Sequence, residues 1–545
     1  QVKEWQELGM VDESFTAEAL WETNLTGRHL HSRYRFLPID TRYFKDLEVK
    51  ILALFENLDE ALDGWLIKSE NYQALNTILP KFRERVKCIY IDPPYNTGSD
   101  EFIYEDRIRH SSWLTMMENR LRLAKELMDR EAALFVHIDE NEQSRLRILL
   151  ETVFGVENYL APMVWIARAG KGGTGTKIQI SHEHIEVAAK DKSLLSLKPV
   201  ERVVEDCPYE DEKGPYRREL LRQWGEQGAR REDRPSLYFP IPTPFGVEVY
   251  PIRPDGTEGR WRFSKAEVMK MLEEGDLDFV RDEETGEITV YRKIRAGQKV
   301  ISVPSNILND VGSSADGTKM IKALFREKVY DTAKPVALGE RLIDLVSWQS
   351  PDDAIVLDFF AGSGTTAHAV INLNREDGGR RKYILVEMAD YFYTVLLPRI
   401  KKVVFSDKWR DGKAQPDGQG ISHFVKYYEL EQYEDTLRRT RYLDDDLFTP
   451  PETEDPCQYI FLRDPKMLEA LEVNLEQGTV KVDLSRLYPD IDLAETLSNL
   501  TGKWIKRILP DPEDPARPGT VEFADGTTAD LKNPDWRLIK PLIWW

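Results

Sequence analysis

Asp92-Pro93-Pro94-Tyr95 places a carboxylate, a stiff backbone and an aromatic ring within four residues. Two consecutive prolines bar helix and fix where the local carbonyls and the Tyr95 ring point. An exocyclic amino group on a flat heterocycle requires such a set: two acceptors for its two N–H donors, and a ring to stack on. The apolar run Cys88-Ile89-Tyr90-Ile91 must deliver them, and it reads as a buried strand of a mostly parallel sheet. Ligands of such sheets bind at the carboxyl ends of strands, which is where Asp92 falls.

A second constellation follows Ala354-Ile355-Val356-Leu357-Asp358. There Phe359-Phe360-Ala361-Gly362-Ser363-Gly364-Thr365-Thr366 forms a glycine turn that opens a helix through Ala367 to about Leu373. Glycines let backbone N–H groups approach a ligand closely. A further strand, Tyr383-Ile384-Leu385-Val386, ends in Glu387, about 20 residues past the last glycine, where a ribose-binding carboxylate belongs. Only two glycines are present and Asp358 abuts them, which disfavours a diphosphate. An acid there suits an ammonium group, such as the methionyl amine of S-adenosylmethionine (SAM).

Together these residues resemble the DNA amino-methyltransferases, in the permuted (beta) group whose Asp-Pro-Pro-Tyr precedes Phe-x-Gly-x-Gly. Lys334-Pro335-Val336-Ala337-Leu338 is similar to the family's Lys-Pro-x-x-Leu segment, which lines the methionine end of SAM. Ile67-Lys68-Ser69-Glu70-Asn71 resembles its Gly-Asp-Asn element, with Ser for Gly and Glu for Asp, so Glu70 is the implied adenine contact. Phe135–Glu142, Ser181-His182-Glu183-His184-Ile185 and Tyr427–Asp435 look like the modification (Mod) subunit of type III restriction systems in particular. The resemblance runs from about Gly64 to Leu437.

It implies an α/β fold: a Rossmann-like, circularly permuted SAM-dependent methyltransferase sheet, with a large inserted α+β target-recognition domain and a small C-terminal α+β domain. The implied reaction is methyl transfer to adenine N6 in duplex DNA. The adenine is flipped out and stacked on Tyr95, with its N6 hydrogens on the Asp92 carboxylate and the Pro93 carbonyl. SAM would lie against Phe360, Gly362, Ser363, Gly364 and Thr365, its amine at Asp358, its ribose at Glu387 and its adenine near Glu70, with Lys334 beside the methionine end. Adenine N6 is favoured over cytosine N4 because the first motif residue is Asp, where cytosine-N4 relatives commonly carry Ser. A non-catalytic recognition subunit of another phage-defence complex, and an RNA or protein methyltransferase, are the alternatives. The expected partners are double-stranded DNA, a second copy in a homodimer, and an ATP-dependent restriction subunit, since no Walker A loop or helicase motif is visible.

The chain has 545 residues and a formal charge of −20, about half of the excess lying beyond residue 430. Net acidity argues against tight non-specific DNA binding, not against a DNA substrate. Arg168, Lys171 and Lys177, in an acid-free stretch from Ala161 to His182, are expected to give a locally positive cleft. Three cysteines, Cys88, Cys207 and Cys457, support neither a disulfide framework nor a zinc site. No membrane-length apolar run or signal pattern is present, so a soluble cytoplasmic protein is expected. Opening at Gln1 rather than Met is expected of a processed or trimmed product.

The boundaries expected are an N-terminal segment (1–60), a first catalytic half (61–166), the target-recognition insertion (167–328), a second catalytic half (329–430) and a C-terminal domain (431–545). Within the first half, Trp113, Met117, Leu121, Ala124 and Met128 recur at helical spacing behind Ser111 and Ser112, which suit an N-cap. In the insertion, Arg217, Arg218, Arg222, Arg230, Arg231 and Arg234 with Trp224 read equally as DNA contacts or as a solvated helical surface. The apolar terminus Pro541–Trp545 is expected to dock on a protein surface.

Three mimics are set aside. Gly170–Lys177 nearly spells a phosphate loop, but Thr176 precedes Lys177 where Lys must come first, and a basic loop on DNA backbone or a linker fits better. Pro456-Cys457 lacks the strand and the carboxylate of a cytosine-C5 nucleophile segment. His182 and His184 lack further metal ligands and read as structural.

Overall fold

The computed structural model describes residues 1–24, 27–96, 110–167, 180–225, 228–432, 469–474, 479–482, 486 and 490–535. The chain divides into two compact units, Gln1–Lys198 with Ser305–Trp545, and Pro199–Pro304.

The first unit is built on a nine-stranded sheet. In chain order its strands are β1 (Gly64–Lys68), β2 (Val86–Ile91), β3 (Met128–Ile138), β4 (Met163–Trp165), β5 (Glu183–Ala189), β6 (Ile307–Leu308), β7 (Ile355–Asp358), β8 (Lys382–Glu387) and β9 (Val425–Glu429). They lie in the order β6-β4-β5-β3-β2-β7-β8-β1-β9. Pairing is parallel from β3 to β9 and between β4 and β6, whereas β5 runs against both its neighbours.

Helices cover both faces: α1 (Asn71–Phe82), α2 (His110–Leu127), α3 (Gln143–Phe154), α4 (Ser314–Phe325), α5 (Val336–Ser347), α6 (Thr365–Asp377), α7 (Leu397–Phe405) and, near the end of the chain, α8 (Leu493–Thr501). Alternation along a strand divides the core in two. Ile89 and Ile91 pack with α1, α2 and α3, while Cys88 and Tyr90 pack with α5, α6 and α7. Burial on both faces is why the central strands read as unbroken apolar runs. The sheet draws on distant parts of the chain, because β2 pairs directly with β7 although about 260 residues separate them.

Details differ from expectation. Ser111 and Ser112 are inside α2, which is already helical at His110, and Met128 opens β3 where the sheet claims it; Trp113, Met117, Leu121 and Ala124 are buried as the spacing predicts. The separate unit is shorter than the expected 167–328 insertion. Both β5 and β6 are claimed by the large sheet, and Leu324 of α4 is buried in its core, so only 199–304 stands apart. The described residues 490–535 also belong to the first unit. On α1, Lys81 is fully buried and pairs with Asp59 at 2.9 Å and with Glu495 of α8 at 3.0 Å, while Trp504 meets Trp65 edge-on at 6.0 Å.

Among the described residues the second unit has a four-stranded antiparallel sheet, two two-stranded pairs and one α-helix, Lys265–Glu273, capped by Ser264. Arg217 and Arg218 lie on the strand Gly214–Leu220, and Arg231 in a single 3-10 turn, so they form no helical surface. Arg218 pairs with Asp278 and Arg231 with Glu258, while Trp224 is exposed. Among the described residues no helix is long and apolar enough to cross a membrane. The stretch Arg168–Lys177, Cys457 and the terminus Pro541–Trp545 lie outside the described residues.

Candidate active site

Four neighbouring parallel strands, β2, β7, β8 and β1, bring Asp92, Asp358, Glu387 and the Ser69-Glu70-Asn71 turn to one edge of the sheet. A cavity of about 530 Å³ opens there, within the range of ~300–1,000 Å³ usual for small-molecule sites. Its lining includes Asp92, Pro93, Pro94, Tyr95, Lys334, Phe360, Gly362 and Glu387, together with Ser69, Asn71, Glu183, Tyr330 and Tyr391. The two sequence motifs thus face one space.

The Asp-Pro-Pro-Tyr turn is held from below. Trp113 of α2 donates its indole N–H to the Pro94 carbonyl at 2.8 Å. Just ahead of α5, Lys334 reaches across with its ammonium 3.1 Å from Asp92 Oδ2, 3.1 Å from Glu183 Oε2 and 2.7 Å from Tyr95 Oη. Tyr95 in turn donates to Glu183 Oε2 at 3.0 Å, and His137 Nδ1 lies 3.3 Å from both. Asp92 Oδ1 is buried and has no hydrogen-bond partner among the described residues. Burial opposes the Lys334 charge, yet Asp92 and Glu183 hold its ammonium above the ordinary lysine range. Burial likewise opposes Glu183, but His137 and Lys334 hold it well below the carboxylate range. Burial, then the Lys334 charge, push His137 below the usual histidine range.

The glycine turn is equally constrained. Gly362 has φ +53°, and a Cβ there would meet Tyr330 Oη at 2.6 Å. Gly364, at φ +80°, caps α6 in the left-handed region. Glu387 Oε2 accepts from Gly362 N at 2.9 Å, and Oε1 from Met388 N at 2.8 Å and Ala389 N at 3.0 Å. Asp358 lies behind the turn: it accepts from Phe360 N at 3.0 Å and Thr366 Oγ1 at 2.6 Å, and burial pushes it up to about 7. Arg399 of α7 is fully buried under the loop and donates to Ser363 Oγ at 2.7 Å and Thr365 Oγ1 at 2.9 Å. Desolvation lowers it to about 9.

The donor set fits SAM. Around the cavity stand the carboxylates of Asp92, Asp139, Glu140, Glu183, Asp331 and Glu387, against Lys334 among the described residues. Such a lining suits a sulfonium with an ammonium group and opposes a nucleotide phosphate. Phe360, Tyr330 and Tyr391 offer aromatic faces, with Glu387 at the end of β8.

Several predicted residues sit elsewhere. Asp358, Ser363, Gly364 and Thr365 support the turn from behind and do not line the cavity. Glu70 caps α1, accepting from Gln73 N at 3.0 Å, pairs with Arg120, and faces a second cavity of about 1880 Å³. Lys334 is bound to the Asp-Pro-Pro-Tyr turn. The described lining is acidic, and the Arg168, Lys171 and Lys177 expected to give a locally positive cleft lie outside the described residues. Residues that sequence reasoning left without a role are Glu183, His137, Tyr330, Tyr391, Asn71 and Arg399. Asn71 ties the β1 turn to the glycine turn through a 3.0 Å bond to the Phe359 carbonyl. Among the described residues no group of three His, Cys, Asp or Glu could hold a metal ion.

Comparison with known proteins adds to this geometry. A family model described as DNA methylase matches residues 86–397. The chain is 30% identical over 530 residues to the type III restriction-modification enzyme EcoPI Mod subunit of Escherichia phage P1, covering 84% of this chain and 80% of that protein. It is 31% identical over 358 residues to the StyLTI Mod subunit of Salmonella typhimurium, covering 58% of this chain and 51% of that one. To the type II methyltransferase M.KpnI of Klebsiella pneumoniae it is 32% identical over 341 residues, covering 58% and 77%.

Proposed function

The chain belongs to the DNA methylase family, and we propose that this SAM-dependent DNA methyltransferase acts on adenine N6 in duplex DNA, as the modification and recognition subunit of a type III-like restriction-modification system. The observation that carries the reading is the meeting of Asp92–Tyr95 and the glycine turn of Gly362 across one acid-lined cavity, on strands paired in the sheet.

A base within a duplex cannot present N6 to a cavity of this kind, so the target adenine leaves the stack. Asp92 Oδ1, the unoccupied acceptor, and the Pro93 carbonyl take the two N6 hydrogens, while Tyr95 stacks on the ring. When bound, SAM supplies the methyl group as an electrophile on sulfur, held by Glu387, Gly362 and Phe360. The N6 proton released as the new N–C bond forms passes to Asp92. Alignment and fixed charge supply most of the rate, with no covalent enzyme intermediate.

We read the order of the two halves as a circular permutation of the methyltransferase sheet, and 199–304 as its target-recognition domain. The names of the Mod relatives support a restriction subunit as partner. A homodimer in the cytoplasm, one copy reading the site while the other methylates, completes the proposal. Expression in a host without DNA methylation, followed by sequencing for modified bases, tests it. N6-methyladenine at one recurring motif is expected; N4-methylcytosine would move the assignment to the other base. No modified base from a chain that binds SAM would contradict the reading.

A further inference from the structure

β5 is the strand of the large sheet that runs against its neighbours, so its amino end, not its carboxyl end, comes to the ligand edge. Its first residue is Glu183, and the register places His184 opposite Ile138 and Ile185 opposite His137. Three groups converge on one oxygen, Glu183 Oε2: the donors Tyr95 Oη at 3.0 Å and Lys334 Nζ at 3.1 Å, with His137 Nδ1 at 3.3 Å. Glu183 thereby touches the turn that bears Asp92 and Tyr95 without being part of it.

The consequence for Asp92 is electrostatic. An ammonium paired with one carboxylate alone binds it tightly and weakens it as an acceptor for anything else. Lys334 is instead held equally, at 3.1 Å, by Asp92 Oδ2 and Glu183 Oε2, which leaves Asp92 Oδ1 without a partner among the described residues. The same Glu183 oxygen fixes the Tyr95 hydroxyl, and so the plane on which a base would stack.

We propose that Glu183 is a positioning residue for methyl transfer, dividing the Lys334 charge between two carboxylates and pinning the Tyr95 ring so that Asp92 is free to receive the amino group. This rests on the methyltransferase reading above. The groups facing Lys334 are Asp92 and Tyr95 after β2, His137 on β3 and Glu183 on β5. Neutralising Glu183 removes one of the two charges that hold the Lys334 ammonium up, so deprotonation of Lys334 moves to lower pH.

The test uses full-length wild type, Glu183→Gln and Glu183→Asp on duplex DNA carrying the motif that the wild type methylates. Glutamine keeps the shape and an acceptor oxygen for Tyr95 but removes the charge. Its kcat should fall about 10- to 100-fold, the scale of a misplaced reacting group. SAM affinity should stay within about threefold, and the basic limb of the kcat–pH profile should move to lower pH. Glu183→Asp should return that limb to its wild-type position. A Glu183→Gln protein with wild-type kcat and profile overturns the inference. So does a loss of kcat with the limb unmoved, which would mark a merely structural role. Should Glu183→Gln not fold, Glu183→Asp decides: a wild-type basic limb with lowered kcat supports the inference, and unchanged kcat overturns it. A wild type that methylates no DNA instead removes the reading beneath it, and is told apart by that control.

Discussion

Lys334 Nζ lies 3.1 Å from Asp92 Oδ2, joining the segment just ahead of α5, in the half that carries the glycine turn, to the turn that ends β2. One ion pair therefore links the two halves of the site at the point where the chemistry would occur.

Lys334→Met should abolish that link. Asp92 and Glu183 would be left as neighbouring carboxylates without a shared cation, and transfer should fall about 100-fold or more in single-turnover methylation. The stability loss should be about 1–2 kcal/mol, less than the ~3–5 of a fully buried pair, because the Asp92 side chain is 30% exposed. Lys334→Arg should not rescue, since a planar fork cannot replace a compact ammonium at three acceptors. Full activity of either variant would contradict this geometry.

Gly362→Ala should lower SAM affinity at least tenfold, because the new Cβ meets Tyr330 Oη at 2.6 Å in the wall of the cavity. Adding Tyr330→Phe removes the hydroxyl and should restore part of the affinity. The φ of +53° remains and keeps a cost of about 1–2 kcal/mol. Isothermal titration of the single and double variants reads both terms; equal affinities would refute the clash.

Asp358 makes a pH-dependent prediction. Burial holds its folded pKa at about 7, above the unfolded value of 3.8, so the folded state binds the extra proton between those limits. Stability from this group is therefore present at acid pH and lost as pH rises from about 4 to about 7. Asp358→Asn cannot titrate, so its melting temperature relative to wild type should climb between pH 5 and pH 8, by the equivalent of about 1–3 kcal/mol. A difference that is flat with pH would show that Asp358 does not titrate there.

Much of the site was legible because its parts are local. Asp92–Tyr95 and Phe360–Thr365 are contiguous, and each follows an apolar run whose burial on both faces is visible in composition. The strand ending in Glu387 was readable for the same reason. Glu183 was visible as a phrase without a role, and Lys334 as a residue at the methionine end of SAM but not as the partner of Asp92, because their partners lie about 90 and 240 residues away and only the sheet order brings them together. That β5 would run backwards, and so offer its first residue to the cavity, follows from strand pairing that no local pattern encodes. Asp358 and Glu70 stand away from the cavity lining for a different reason. Spacing puts an acid at a strand end, but a turn hydroxyl or a helix N-terminus can claim it first, as Thr366 and α1 do.

The most direct measurement is transfer of tritiated methyl from SAM to a mixed, unmethylated duplex pool, with nucleoside digestion and mass spectrometry, for wild type and Asp92→Ala. The expected result is N6-methyladenine from wild type and none from Asp92→Ala, while both bind SAM with similar affinity. N6-methyladenine at an undiminished rate from Asp92→Ala would contradict the central claim that Asp92 receives the amino group.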